Sequence, residues 1–156
     1  MNTIEMFERA IRESLAQFAA EAVPVSWLHC ASVPTDCDNE TGLQAFPETL
    51  IAAGGKEHAD DGATWNTALT ITCTTLAEQD KDAAILMRMY EAVEDFFEHL
   101  IVGDADDEIV QHFSAVVRQT MPTFCLGGFT PMASDGVIEQ EQLRLVPFMG
   151  TLHYEY

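Results

Sequence analysis

The sequence predicts an α+β fold, a mostly antiparallel β-sheet with helices packed on one face. Three observations predict it. Residues 64–75 sort their side chains alternately onto two faces, the period of a half-buried strand. Residues 2–22 and 80–102 repeat apolar side chains at three- and four-residue steps, the period of an amphipathic helix. The order is helix, strands, helix, helix, strands, not the regular strand–helix alternation that builds a parallel sheet.

The first helix is expected from Asn2 to about Ala22. Asn2 with Glu5 forms a potential capping box. Ile4, Phe7, Ile11, Leu15, Phe18 and Ala22 make one apolar stripe, and Pro24 stops the helix. Val25 to Cys30 reads as a short strand, and the polar stretch Pro34 to Gly42 as a loop. A second strand is expected over Phe46 to Ala53, with Pro47 near a sheet edge or at the strand start. Gly54 to Gly62 reads as a glycine-bounded polar hairpin connection.

The strand over Thr64 to Thr75 carries the clearest pattern. Trp65, Thr67, Leu69, Ile71 and Cys73 share one face; Asn66, Ala68, Thr70, Thr72 and Thr74 share the other. Its many threonines suit β structure, because branching at Cβ restricts χ1 and packs well on a pleated surface. The helix over Asp80 to Val102 has the stripe Ala83, Leu86, Tyr90, Val93, Phe97 and Leu100, widened by Ile85, Met89 and Phe96. An apolar face that broad is suited to lying across a sheet. Gly103 ends it, and Asp106 or Asp107 caps a shorter helix that turns Ile109, Phe113 and Val116 inward. From Met121 to Gly136, prolines and glycines punctuate the chain and no element is assigned. Val137 to Tyr156 is strand-like. Leu143 and Leu145 share a face, Phe148, Gly150, Leu152, Tyr154 and Tyr156 share a face, and the parity changes near Pro147, which predicts a bulge or an edge there.

The chain has 156 residues, 47% hydrophobic and 21% charged, which is enough for one domain over 1–156 with its own core. It carries 26 acidic residues against 7 basic ones, a formal net charge of -19. Nucleic-acid affinity comes largely from Lys and Arg neutralising phosphates, so this balance argues against a phosphate-binding surface and against anionic membranes. It suits either plain solubility or a channel through which DNA slides without sticking. Cys30, Cys37, Cys73 and Cys125 are scattered, which fits reduced thiols better than a disulfide framework. Charged residues within 5–13 break any secretory signal, and no run approaches a membrane span, so a soluble cytoplasmic protein is expected.

Sites for chemistry are sparse. His29-Cys30 with Cys37 comes nearest to a zinc site, but no second ligand pair accompanies it. Glu91, Glu94, Asp95, Glu98 and His99 lie on the long helix. A di-iron site needs Glu-x-x-His on two helices, and Phe96 stands where the carboxylate belongs. Glu91, Glu94, Asp95 and Glu98 therefore read as a solvated acidic face, one that can line an acidic surface in an assembly. Cys125 has no local mark of an activated nucleophile, and Gly127-Gly128 lacks the Gly-Lys-Ser/Thr of a phosphate loop. Residues 104–108 read as an acidic capping turn rather than a calcium loop. Trp27 and Trp65 read as core or interface aromatics. No cofactor, no metal and no enzymatic activity are expected.

Several words of the sequence carry a resemblance across most of the chain. They are the N-terminal amphipathic helix, Phe46-Pro47 opening a strand, the polar 54–62 hairpin, Thr64-Trp65 beginning a long alternating strand, the broad helix 80–102 and the closing Leu152-His153-Tyr154-Glu155-Tyr156. In this order they resemble the tail terminator proteins of long-tailed bacteriophages. Extra length at 28–45 and 121–142 departs from that pattern. The resemblance implies a homohexameric ring that caps the tail tube, stops its polymerisation and joins tail to head. It implies as partners other copies of the chain, the tail tube and head-completion proteins, with DNA passing through without specific binding. It implies assembly in the host cytoplasm and residence in the virion tail. Ring contacts need exposed loops or strand edges, and the hairpin residues Lys56, Glu57, His58, Asp60 and Asp61 are the candidate contact loop. Two alternatives remain open: another head–tail joining or baseplate protein, and a small ligand-binding protein or enzyme with a pocket between helix 80–102 and the sheet, using Cys73, Tyr90 or His99.

Overall fold

The computed structural model describes residues 2–33 and 46–156, so the expected loop 34–42 and Cys37 lie outside the described residues. The fold is α+β, as the periodicities predict. Helices α1 (Thr3–Phe18), α2 (Ala84–Val102) and α3 (Glu108–Arg118) accompany strands β1 (Leu28–Cys30), β2 (Glu48–His58), β3 (Trp65–Leu76), β4 (Cys125–Pro131), β5 (Ile138–Gln140) and β6 (Leu143–Glu155). The sheet order is β1-β2-β3-β6-β4, with β5 also on β6. Among the described residues only the β1–β2 pair is parallel.

The central ladder is β3 on β6, which runs in unbroken register from Trp65 opposite Tyr154 to Leu76 opposite Leu143. Leu69, Ile71 and Cys73 of β3, with Val146, Phe148, Leu152 and Tyr154 of β6, are buried on the helix-bearing face. Met6, Phe7, Ile11 and Leu15 of α1 and Leu86, Met89, Val93, Phe96, Phe97 and Leu100 of α2 meet them in one buried cluster. Tyr154 and Thr67 share a buried hydrogen bond of 2.8 Å, which satisfies both hydroxyls inside that cluster.

Local chemistry sets the element ends. The Asn2 side chain accepts the Glu5 N–H at 2.8 Å and begins α1, as the capping pattern predicts. The helix ends at Phe18, short of the expected Ala22, and Ala19 leaves helical geometry with φ -136°. Val25–Trp27 is one 3-10 turn after Pro24, so the predicted strand there shrinks to Leu28–Cys30. Helix α2 starts at Ala84 instead of Asp80. Asp80 caps it from outside: its carboxylate accepts the N–H groups of Ile85 and Leu86, both at 3.0 Å, and the Thr75 hydroxyl at 3.1 Å. Asp107 accepts from Ile109 and Val110 and begins α3, as the acidic turn predicts.

Three strand expectations need correction. Residues 54–58 are not loop: β2 continues through them to His58, and only the turn 59–64 connects β2 to β3. Pro47 does precede the strand start. The parity of β6 does not change near Pro147, and no bulge lies there. Leu143 and Leu145 are on the face opposite Val146 and Phe148. Met149 offers its carbonyl to Met132 on the β4 side, so by strand alternation Pro147 faces that side too. It falls between the β4 and β5 pairings, where its missing N–H costs no ladder bond. The stretch left unassigned contains β4, bulged between Leu126 and Gly128.

Beyond Ile51 the outer edge of β2 has no strand partner among the described residues. Glu8, buried on α1, accepts the Ala53 N–H there at 3.0 Å and the Ser32 N–H at 3.0 Å.

Candidate assembly surfaces

The hairpin residues separate into two environments. Lys56, Glu57 and His58 lie on β2, opposite Thr67, Asn66 and Trp65. They are the end of a strand instead of the loop expected from the sequence. His58 stacks on Trp65 at 3.6 Å between centroids, and Trp65 lies 5.3 Å from Tyr156. The Lys56 ammonium sits 5.1 Å from the Trp65 ring centre and 4.9 Å from that of Tyr156, and it donates to the Tyr156 hydroxyl. Such cation–π contacts hold a cation over an exposed ring at a gain of about 0.5–1 kcal/mol. Asp60 and Asp61 occupy the turn. Asp61 accepts from Ala63 N–H, Thr64 N–H and the Thr64 hydroxyl, and these bonds, led by the Thr64 N–H, hold its carboxyl below the usual range. The turn is braced by its own aspartate, and its basic, aromatic flank faces outward.

Glu91, Glu94, Asp95 and Glu98 are exposed on α2, opposite its buried stripe, as the helical period predicts. Partial burial, then the charges of Asp95, Glu91 and Glu98, raise the Glu94 carboxyl above its ordinary value. His99 turns away from these carboxylates and bonds Asp107 at 2.9 Å.

The sheet face away from the helices is a third surface. Thr70, Thr72, Pro147, Met149 and Thr151 populate its centre and are half-buried by one another, with Ala68 exposed between them. Among the described residues no charged side chain interrupts that centre, in a chain of net charge -19. Its margins are polar and paired. His29 meets Glu48 at 2.9 Å at one end; at the other, His153 bridges Thr130 at 2.7 Å and Asn66 at 2.7 Å.

The residues named for a pocket under α2 do not form one site. Cys73 has no exposure, and burial pushes its thiol up to about 12. Tyr90 packs edge-on against Phe148, and His99 is spent on Asp107. Cys30 is half-buried, its thiol pushed up to about 11 by burial, then Glu8. Among the described residues no group of three or more His, Cys, Asp or Glu is arranged to hold a metal ion, and no helix is long and apolar enough to cross a membrane. What sequence reasoning missed is the Lys56–Trp65–Tyr156 cluster. Its signal was present, since residues 56 and 65 flank the turn and Tyr156 closes the neighbouring strand.

No protein-family model matches the chain, and no curated protein matches it. Among solved structures it is similar to a chain of the virion of a native gene transfer agent particle, with 16% identity and a TM-score of 0.50. The likeness covers 96% of this chain and 94% of that one. The shared feature is the fold, end to end, and a virion particle contains a chain that has it.

Proposed function

We propose that the protein is a phage or prophage structural protein, a tail terminator that forms a homohexameric ring on the tail tube, stops its polymerisation and joins tail to head. The observation that carries the proposal is the near-complete fold likeness to a chain of a virion particle, 96% against 94% coverage. The sequence resemblance to tail terminators points the same way on separate grounds.

The surfaces supply a physical basis for such a role. A closed ring needs two different patches per subunit that fit each other. The uncharged sheet face and the Lys56–Asp61 hairpin end with its aromatic flank are the proposed contact elements. Charge elsewhere is so one-sided that copies repel except where neutral or basic surface meets. On the acidic face of α2, Glu91 and Asp95 border the DNA path in this proposal, where a repelling wall lets phosphate pass without binding.

The test is the native mass by light scattering at low and high salt, followed by electron microscopy with purified tail tubes. A hexamer, or a ring that appears on tubes and halts their growth, is the expected result. A monomer at every salt concentration that also leaves tube growth untouched removes the reading.

A further inference from the structure

An apolar groove of about 330 Å³ opens between the C-terminal half of α2 and strands β4 and β6. Its floor is a stack of three aromatic rings. Phe97 lies 4.6 Å from Phe129 and 5.1 Å from Phe148, all within 23° of parallel. One wall is Ile101 and Val102, which are 42% and 72% exposed. The rim is Glu94 and Glu98, the only charged side chains among the described residues that line it. The carboxyl of Glu94 already stands above its ordinary value through partial burial and neighbouring carboxylates, and among the described residues no cation bonds Glu94 or Glu98.

We propose that this groove receives a basic, aliphatic segment of a partner protein. Aliphatic side chains fill the groove over the aromatic floor, and Lys or Arg side chains reach back to Glu94 and Glu98. Apolar surface drives the seating, and the paired carboxylates select the charge of what seats. The inference rests on the assembly reading in one respect, that the partner is another component of the particle.

The charge pattern excludes the chain itself as occupant. Of its 7 basic residues, Arg9 is paired with Glu13, Arg12 and Arg118 donate to the carbonyls of Leu28 and Phe124, Arg144 donates to those of Asp80 and Lys81, and Lys56 bonds Tyr156. Only Lys81 and Arg88 remain, at the opposite end of α2. Residues 34–45 contain Asp36, Asp38 and Glu40 and no Lys or Arg. A second copy would bring its own charge of -19 to an acidic rim.

The probe is a synthetic peptide of alternating Leu and Lys, with a Ser/Lys peptide and a Leu/Glu peptide as controls. Binding to the full chain is read by fluorescence anisotropy at low salt. The Leu/Lys peptide is expected to bind and the two controls not to bind. The double variant Glu94→Gln/Glu98→Gln and, separately, Val102→Ser each weaken binding about tenfold. The double variant Glu57→Gln/Asp60→Asn removes equal charge at the hairpin and leaves binding unchanged. Failure of the Leu/Lys peptide to bind overturns the proposal. Equal loss from both double variants also overturns it, since the peptide then follows overall charge. A native mass that falls on Val102→Ser overturns it too, because a second copy is then the occupant. Ring formation with no peptide binding leaves the function standing without the groove; peptide binding with no ring does the reverse.

Discussion

Phe129 lies directly over Gly150, so close that a Cβ on Gly150 would stand 2.1 Å from the ring's Cζ. The two face each other near the end of β4, two residues from direct pairing, as a diagonal pair on one face. A missing side chain on β6 thus makes room for the ring that completes the stack with Phe97 and Phe148. Gly150→Ala is expected to displace Phe129 and to strain the Thr130 carbonyl, which lies 2.7 Å from the same point. The expected loss is about 1–3 kcal/mol in urea unfolding, with β3–β6 pairing intact by amide exchange.

Asp80 holds three donors while itself buried, so Asp80→Ala removes the cap of α2 and leaves those donors unmet. A loss of about 2 kcal/mol is expected at neutral pH. The sign with pH follows from its shift. Burial raises the carboxyl, but the N–H groups of Ile85 and Leu86, the Thr75 hydroxyl and Arg144 outweigh it, so the folded value lies below the ordinary 3.8. A lowered folded value means the carboxylate's contribution is complete above 3.8 and fades as pH falls through the folded value. The gap between wild type and Asp80→Ala should therefore narrow only below that point in a pH series of denaturant melts.

Glu94 runs the other way. Its raised carboxyl means that ionisation costs the fold something, and the cost is relieved as pH falls through the raised value. Glu94→Gln should raise Tm by about 1–3 °C at neutral pH and low salt, the small size reflecting its exposure. Added salt should shrink that gain by screening Glu91, Asp95 and Glu98.

Trp65 reports on the hairpin end. In a Trp27→Phe background, Lys56→Met should change Trp65 emission and alter stability by less than about 1 kcal/mol. An unchanged emission spectrum would remove the cation from the ring in solution.

Much of the fold was legible because its strongest elements obey their own period. Strand β3 and the stripes of α1 and α2 bury the residues that alternation and helical spacing select. Strand β4 was illegible for a physical reason. Gly127, Gly128 and Pro131 read as loop punctuation, yet a Cβ on Gly127 would lie 3.1 Å from the His153 carbonyl, so glycine there serves close strand contact at a bulge. The early start assigned to α2 came from reading Asp80 as a helical residue, when it acts as a cap from several residues upstream. The acidic face was legible from helical spacing. The groove beside it was not, because β4 lies far from α2 in the sequence and supplies Phe129 and Pro131 of its lining.

Glu8 has a consequence for the solubility of the whole sheet. Where β1 runs out, the next exposed amide of β2 is closed by a carboxylate from α1 instead of by another strand. Strands with open amides recruit foreign strands, and this one is stoppered by a charge that no incoming backbone can replace without stranding it. The first helix is therefore a guard against fibre growth as well as a layer of the core. Glu8→Ala should leave a folded chain whose aggregation, followed by thioflavin fluorescence, begins from the β2 edge.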